Sequence, residues 1–144
     1  MTRFVTYKKI FWDDLKRAEQ EEENHVEQIK KALQIEKLEK DEDRFSVYDF
    51  FSEKGFVEFR RRYNDLNCYP TTMIPYSKIA FSNRNPKVPC YIFIRFNDCL
   101  TYWEVPKWCY KNFERGGRRD RGIDEFAYGK KYYYLPIEEL TIVD

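Results

Sequence analysis

Apolar and polar positions change their spacing near the middle of the chain, and this change divides it into two predicted parts. Up to about residue 40 the apolar residues partly follow a helical stripe, and residues 13–40 contain neither Gly nor Pro. Asp13 or Asp14 can cap a helix, because a short carboxylate accepts the free N–H groups of the first turn. The pattern predicts one long N-terminal helix, or two in tandem.

After this segment the spacing becomes typical of strands. Residues 45–51 and 56–62 are predicted strands, joined by Ser52-Glu53-Lys54-Gly55, a glycine-containing loop that indicates a hairpin. The apolar run CYIFIRF predicts a later strand that is buried on both faces. The remaining predicted elements are a loop over 64–72, a short helix over 75–81, strands over 90–96, 100–105 and 132–135, a helical turn over 107–112 and a tail over 137–143.

This order of elements predicts an α+β fold, with a long N-terminal helix and then a mixed central β-sheet with a short helix between strands. The length of 144 residues fits one compact domain. We therefore predict a single domain over 1–144, in which 1–44 form a helical N-terminal part. Residues 45–144 form the sheet core, with a basic loop over 115–122.

The composition favours a folded chain, and the net charge limits the classes of partner that the protein could bind. Aromatic residues make up 19% of the chain, which favours strands because aromatic rings suit a half-buried sheet. The net charge of +1 excludes a strongly basic nucleic-acid wrapper. Residues 1–43 hold nine basic and twelve acidic residues, whereas 44–144 hold seventeen and thirteen. Basic clusters at 60–62 and 115–121 indicate a phosphate-bearing partner or, alternatively, two solvated loops or edges.

The four cysteines and the single histidine lack the spacing of a zinc ribbon or finger. The sequence shows no secretory signal and no run of roughly 18 to 20 apolar residues. We therefore expect reduced thiols, an intracellular location and no membrane partner.

The chemical candidates lie on the predicted hairpin. Glu58 and Arg60 share one face of their strand, because side chains alternate with period two. A hairpin that turns near residues 53–54 brings Asp49 roughly opposite Glu58, where cross-strand neighbours lie about 4.5–5.5 Å apart. Two such carboxylates can hold Mg²⁺ or Mn²⁺ for phosphodiester hydrolysis, and a nearby cation can orient water or stabilise the transition state. Alternatively, they are surface carboxylates that pair with Arg60 and Arg62.

Two longer tracts carry a family resemblance. YDFFSEKGFVEFRRRYNDLNCYPTTMIPYSKI and CYIFIRFNDCLTYWEVPK resemble small PD-(D/E)XK nuclease-like proteins of bacteriophages and large DNA viruses. In that group an Asp-bearing strand precedes a Glu-x-Lys strand, and a tract similar to Tyr-Pro-Thr-Thr-Met-Ile leads into a helix with a lysine. The resemblance covers about residues 45–108. It implies a PD-(D/E)XK fold, a metal-dependent DNA endonuclease, and action in the host cytoplasm or nucleus if the protein is viral.

The resemblance also implies roles for individual residues. Asp49 and Glu58 are expected to bind metal, together with a glutamate of the first helix, for which Glu27 is preferred beside the apolar stripe. Arg60 stands where the family carries its lysine; arginine cannot be deprotonated and favours bidentate contact with phosphate. Lys78 of the following helix is the expected replacement, so the expected catalytic set is Asp49, Glu58, Arg60 and Lys78.

Contacts with DNA are expected from basic and hydroxyl residues outside this set. Thr71 and Thr72 alternatively cap a helix or fill a turn. Three functions remain open: a DNA endonuclease, a catalytically inactive relative that binds nucleic acid, and a viral structural or assembly protein whose acidic helix mediates homo-oligomerisation. The expected nucleic-acid-binding residues are Arg61, Arg62, Thr71, Thr72, Arg118, Arg119 and Arg121.

Overall fold

The computed structural model describes residues 16, 20, 23–43, 46–107, 115–116 and 132–143. It contains two α-helices, nine strands and two short 3-10 helices within these residues. Helix α1 covers residues 23–33, and residues 16 and 20 are also helical. The other elements are β1 (Glu39–Lys40), β2 (Phe50–Ser52), β3 (Gly55–Arg61), β4 (Thr71–Pro75), α2 (Tyr76–Arg84), β5 (Cys90–Arg95), β6 (Leu100–Glu104), β7 (Arg115–Gly116), β8 (Tyr132–Pro136) and β9 (Thr141–Val143), with 3-10 helices at Leu66–Cys68 and Ile137–Glu139.

The main sheet has six strands in the order β1-β2-β3-β5-β6-β9. The β3–β5 pair is parallel, and every other neighbouring pair in this sheet is antiparallel. The predicted α+β class with a mixed central sheet is therefore confirmed. The parallel pair requires the chain to cross over between β3 and β5, and this crossover contains β4 and α2.

Both faces of the main sheet are covered, so β5 is buried on both sides as its continuous apolar run predicted. On one face, Ile29 and Leu33 of α1 pack against Val57 and Phe93. On the other face, Ile79 of α2 and residues of β4 and β8 complete a second core. The strands of the sheet contribute alternate side chains to the two cores, as period-two geometry requires.

Helix α1 ends earlier than the predicted boundary near residue 40. Gln34 has a left-handed φ of 56°, its N–H donates to the carbonyl of Lys31 (3.2 Å), and the N–H of Ile35 donates to that of Lys30 (3.0 Å). These two bonds form a Schellman C-cap, in which glycine is the usual residue at the left-handed position. The sequence gives no signal for this helix end, because glutamine, a good helix former, occupies the left-handed position.

The predicted tail and the predicted loop at 64–72 both contain strands. Thr71–Pro75 forms β4, which pairs with β8, and β7 pairs with the other side of β8 to complete a three-stranded second sheet. Thr141–Val143 forms β9 on the edge of the main sheet, beside β6. The sequences of β4 and β9 lack a clear alternating pattern, so long-range pairing alone identifies these two strands.

Gly55 explains how tightly the β2–β3 hairpin approaches the start of β5. Its φ is +141°, and a Cβ atom at this position would lie 2.0 Å from the carbonyl oxygen of Pro89. The same carbonyl accepts a 3.0 Å hydrogen bond from the N–H of Phe56. Only glycine allows this approach, which fixes the register of β3 against β5.

Lys107 secures the far end of α2. Its ammonium group donates to the carbonyls of Ser82 (3.0 Å), Asn85 (3.0 Å) and Val88 (2.6 Å), and to the Ser82 hydroxyl (2.9 Å). A cation at this position adds a charged donor to carbonyls at and just beyond the C-terminal end of the helix, where the helix dipole favours positive charge. Only residue 107 of the predicted helical turn over 107–112 lies within the described residues.

Cys68, Cys90 and Cys99 carry free thiols. Across the described ranges, no helix has the length and apolarity needed to cross a lipid bilayer.

Candidate active site

The candidate site lies on the sheet face that α2 covers, where β3 emerges from the hairpin. Glu58 and Arg60 point toward this face, whereas Val57 and Phe59 point into the core beneath α1. The expected alternation along this strand is therefore present. Glu58 is only 4% exposed, so a carboxylate is held in the protein interior, which is costly unless other groups compensate for its charge.

Two cations compensate for the Glu58 charge. The Nζ atom of Lys78 lies 2.8 Å from Oε2 of Glu58, and Nη2 of Arg60 lies 3.0 Å from the same oxygen. Lys78 reaches this position from the first turn of α2, which begins at Tyr76 directly after β4. The lysine that the sequence suggested as a replacement thus contacts the carboxylate of the Glu-x-Arg strand.

Asp49 joins Glu58 from the neighbouring segment. The β2–β3 register pairs Phe50 with Val57, and one further step along both chains brings Asp49 beside Glu58. Oδ2 of Asp49 accepts the N–H of Phe59 at 3.3 Å, and its backbone carbonyl accepts the N–H of Asp41 at 2.7 Å. Asp49 itself lies in a bend just before β2, so these hydrogen bonds, rather than the strand ladder, hold it in place.

The environment of Glu58 changes its acidity. Burial raises the pKa of the Glu58 carboxyl to about 7, although the neighbouring cations of Lys78 and Arg60 act to lower it. Asp49, which shares a hydrogen bond with Glu58, raises the pKa further. A raised pKa beside a second carboxylate and two cations is typical of functional sites.

Arg60 has capacity for a further contact. Its Nη2 atom is engaged by Glu58, but its Nε atom is buried and has no hydrogen-bond partner among the described residues. Buried N–H groups are rarely left without an acceptor, because the desolvation of such a group costs about 1–3 kcal/mol. The Nε–H group is therefore suited to donate a hydrogen bond to an anionic oxygen.

Two residues that sequence reasoning missed surround Lys78. The backbone carbonyl of Val47 accepts a hydrogen bond from the Lys78 ammonium, and the Tyr48 hydroxyl donates to the Lys78 carbonyl at 2.9 Å. Burial raises the pKa of the Tyr48 phenol, so this hydroxyl stays protonated. Strict strand alternation would have put Tyr48 on the face opposite Asp49. The bend at 47–49 instead turns both toward α2, and the sequence has no clear signal for such a bend.

The expected third metal ligand, Glu27, is not part of this arrangement. It lies on α1, its side chain is 85% exposed, and it pairs with Lys30 at 3.3 Å. Within the described residues no group of three or more His, Cys, Asp or Glu side chains could hold a metal ion together. Among the described residues, the carboxylates at the site are Asp49 and Glu58.

Among the residues expected to contact nucleic acid, the two arginines that the structure describes make contacts within the protein. Arg61 lies over the Tyr63 ring at 4.4 Å and donates to Oδ1 of Asn97 at 3.0 Å. Arg62 donates to the carbonyl of Met73 at 3.0 Å. Thr71 and Thr72 lie in β4, so they neither cap a helix nor fill a turn. Arg118, Arg119 and Arg121 lie outside the described residues.

A separate groove of about 560 Å³ lies on the α1 side of the sheet. Leu33, Tyr91 and Tyr102 contribute to its walls, and it contains neither Asp49 nor Glu58. The carboxylates, Arg60 and Lys78 therefore form a site distinct from this groove.

A comparison with models of known protein families finds a match. The family model described as "Phage putative PDDEXK endonuclease" matches residues 13–143, which is most of the chain. No curated protein and no solved structure matches the chain.

Proposed function

Because the chain belongs to the phage PDDEXK endonuclease family, we propose that it cleaves DNA by divalent-metal-dependent hydrolysis of the phosphodiester backbone. One observation carries the proposal: the Lys78 ammonium of α2 lies 2.8 Å from the Glu58 carboxylate. A lysine therefore contacts this carboxylate, although the strand of Glu58 carries Arg60 at the position of the family's lysine. In this proposal Asp49 and Glu58 bind the metal, and Lys78 and Arg60 act on the phosphate and the attacking water.

The two carboxylates fit a small, hard divalent ion. Mg²⁺ prefers oxygen ligands, is commonly held by one or two carboxylates, and retains several of its waters. Asp49 and Glu58 share a hydrogen bond, and burial disfavours ionisation of Glu58 even beside Lys78 and Arg60, an effect that the positive charge of a metal ion would offset. Bound Mg²⁺ or Mn²⁺ would supply an acidified water and offset the charge on the scissile phosphate.

Lys78 and Arg60 take different parts in the proposed reaction. The Lys78 ammonium, held by Glu58 and the Val47 carbonyl, orients the attacking water and stabilises negative charge that develops on the phosphate. The Nε–H of Arg60, which has no hydrogen-bond partner among the described residues, donates to a non-bridging phosphate oxygen, a contact for which a guanidinium is well suited. Substitution of the family lysine by arginine is thus compatible with catalysis.

The test is cleavage of plasmid and branched DNA by the purified protein in Mg²⁺ or Mn²⁺, with EDTA as the metal-free control. We expect Asp49→Ala, Glu58→Gln and Lys78→Met each to reduce the cleavage rate by about a hundredfold or more. Glu53→Gln is the matched control, because Glu53 is an exposed carboxylate in the turn of the same hairpin. Absence of cleavage by the wild-type protein, or full activity of the Asp49 and Glu58 variants, would contradict the proposal.

The second candidate function is DNA binding without cleavage, and the replacement of the family lysine by Arg60 favours it. The Arg60→Lys variant separates the two candidates. If Lys78 has taken over the lysine role, Arg60→Lys leaves the rate unchanged or lower. If the site has degenerated, Arg60→Lys creates or increases metal-dependent cleavage, and the wild-type protein binds DNA without cutting it.

A further inference from the structure

We propose that Tyr48 is a positioning residue of this site, whose hydroxyl group fixes the backbone of Lys78 and thereby holds the Lys78 ammonium against Glu58. This inference rests on the proposed function, in which Lys78 is catalytic. Tyr48 does not contact the substrate in this scheme; it acts through Lys78.

The contacts between the two segments are reciprocal. The Tyr48 side chain reaches the backbone of Lys78, where its hydroxyl donates to the carbonyl at 2.9 Å. The Lys78 side chain reaches back, and its ammonium donates to the carbonyl of Val47. Each segment thus holds the other through one side chain and one backbone carbonyl. The two directions restrain different parts of Lys78: the Tyr48 hydroxyl holds its backbone, whereas the Val47 carbonyl and Glu58 hold its ammonium group.

The Tyr48 ring is itself held firmly. Tyr48 is 1% exposed and packs against Phe81 of α2 (ring centroids 5.3 Å apart) and Phe56 of β3 (6.0 Å). Phe56 and Phe81 also meet edge to face at 5.0 Å. The ring therefore has little freedom to move its hydroxyl, and it links β3 and α2, the two elements that carry Glu58 and Lys78. The Lys78 ammonium also lies 5.3 Å from the centre of this ring.

Lys78 needs such support because of its chemistry. A lysine ammonium is a point charge on a flexible four-carbon chain, so its position depends on the groups around it. Catalytic groups must be held within about 0.5 Å of their productive position. Asp49 follows Tyr48 directly in the chain, so the same contact also ties the segment that carries this carboxylate to α2.

The test compares Tyr48→Phe, which removes only the hydroxyl, with Tyr102→Phe as the matched control. Tyr102 is half-buried on the opposite face of the sheet, where it stacks on Phe93 (5.3 Å). We expect Tyr48→Phe to lower kcat for DNA cleavage by about tenfold while KM stays within about twofold, since lysine is misplaced but substrate binding is retained. The control variant is expected to match the wild type, and both are assayed below their unfolding temperatures. An unchanged kcat in Tyr48→Phe would overturn the proposal.

A second measurement is independent of activity. In protein labelled with ¹⁵N-lysine, the Lys78 ammonium signal is assigned by its loss in Lys78→Met. We expect this signal to be protected from exchange with water in the wild type and in Tyr102→Phe, and to exchange about tenfold faster in Tyr48→Phe. A wild-type protein that cuts no DNA would refute the proposed function, whereas an unprotected Lys78 signal, or one that Tyr48→Phe leaves unchanged, would refute the positioning role.

Discussion

At the scale of single residues, Glu58 is the residue that the other charged groups of the candidate site contact. Its carboxylate is buried, contacts Lys78 and Arg60, and shares a hydrogen bond with Asp49. A buried charged group is costly for folding unless its partners compensate for lost hydration. This buried arrangement is typical of a functional site, because an apolar residue would pack there at lower cost.

The acidity of Glu58 gives the metal-free protein a pH-dependent stability. Its pKa is raised from 4.5 to about 7 on folding, so the protonated form is favoured in the folded state. The resulting stabilisation is fully present below about pH 4.5 and is lost as pH rises through about 7. As the pH rises from 5 to 8, the wild type should therefore lose about 2 kcal/mol of its free energy of unfolding through Glu58. The Glu58→Gln variant should not show this loss, because glutamine does not titrate.

The measurement is urea unfolding of both proteins in EDTA at pH 5 and pH 8. Glu53→Gln serves as the control, because this exposed side chain is expected to leave the pH dependence of the wild type unchanged. A Glu58→Gln protein with the same pH dependence as the wild type would show that Glu58 titrates at an ordinary pKa.

At the scale of elements, helix α1 ends in a Schellman cap that has glutamine, rather than the usual glycine, at the left-handed position. Gln34 adopts a left-handed φ of 56° and completes the Schellman cap, although glycine tolerates this conformation at lower cost. Ile35, the next residue, is buried in the core beneath α1. The burial of Ile35 compensates for the strain at Gln34, and the helix ends where this packing requires.

This strain predicts a stabilising substitution. We expect Gln34→Gly to raise the free energy of unfolding by about 0.5–1 kcal/mol, because the relief of the left-handed strain exceeds the added flexibility of the unfolded chain. Lys31→Gly, an exposed position inside the same helix, is expected to lower it by about 1 kcal/mol. Denaturant unfolding of both variants checks the pair, and two changes of the same sign would be inconsistent with the cap.

At the scale of the whole molecule, the main sheet separates two cores with different roles. Ile29 and its neighbours on the α1 side support the sheet from behind. Ile79 and its neighbours on the α2 side support the helix that carries Lys78. Both isoleucines are almost fully buried, at 0% and 1% exposure, so truncation of either should be similarly costly for folding.

This separation predicts that truncation of a buried residue lowers stability on either side of the main sheet but lowers activity only on the α2 side. We expect Ile29→Ala and Ile79→Ala each to lower the free energy of unfolding by about 3 kcal/mol, through lost burial and a new cavity. Only Ile79→Ala should also lower the rate of DNA cleavage at a temperature where both variants are folded, because Ile79 packs the helix that carries Lys78. Urea unfolding and the cleavage assay provide the two measurements, and an equal loss of activity in both variants would count against the division.

The sequence by itself determined the features that depend on near neighbours in the chain. Alternation along residues 56–62 determined which side chains share the face of Glu58, and the short turn before them brought Asp49 opposite it. The apolar run of β5 determined its burial on both faces. These features follow from strand geometry, in which each residue fixes the direction of the next.

Only the tertiary structure decided the features that depend on distant segments. The approach of Lys78 to Glu58 depends on the crossover through β4 and α2, and the Tyr48 contact depends on a bend that strand alternation does not predict. The pairing of β4 with β8, and of β9 with β6, joins segments that are far apart in sequence. The physical reason is that local spacing fixes the direction of a side chain, whereas its partner is set by which segments pack together to bury the apolar surface of the whole chain.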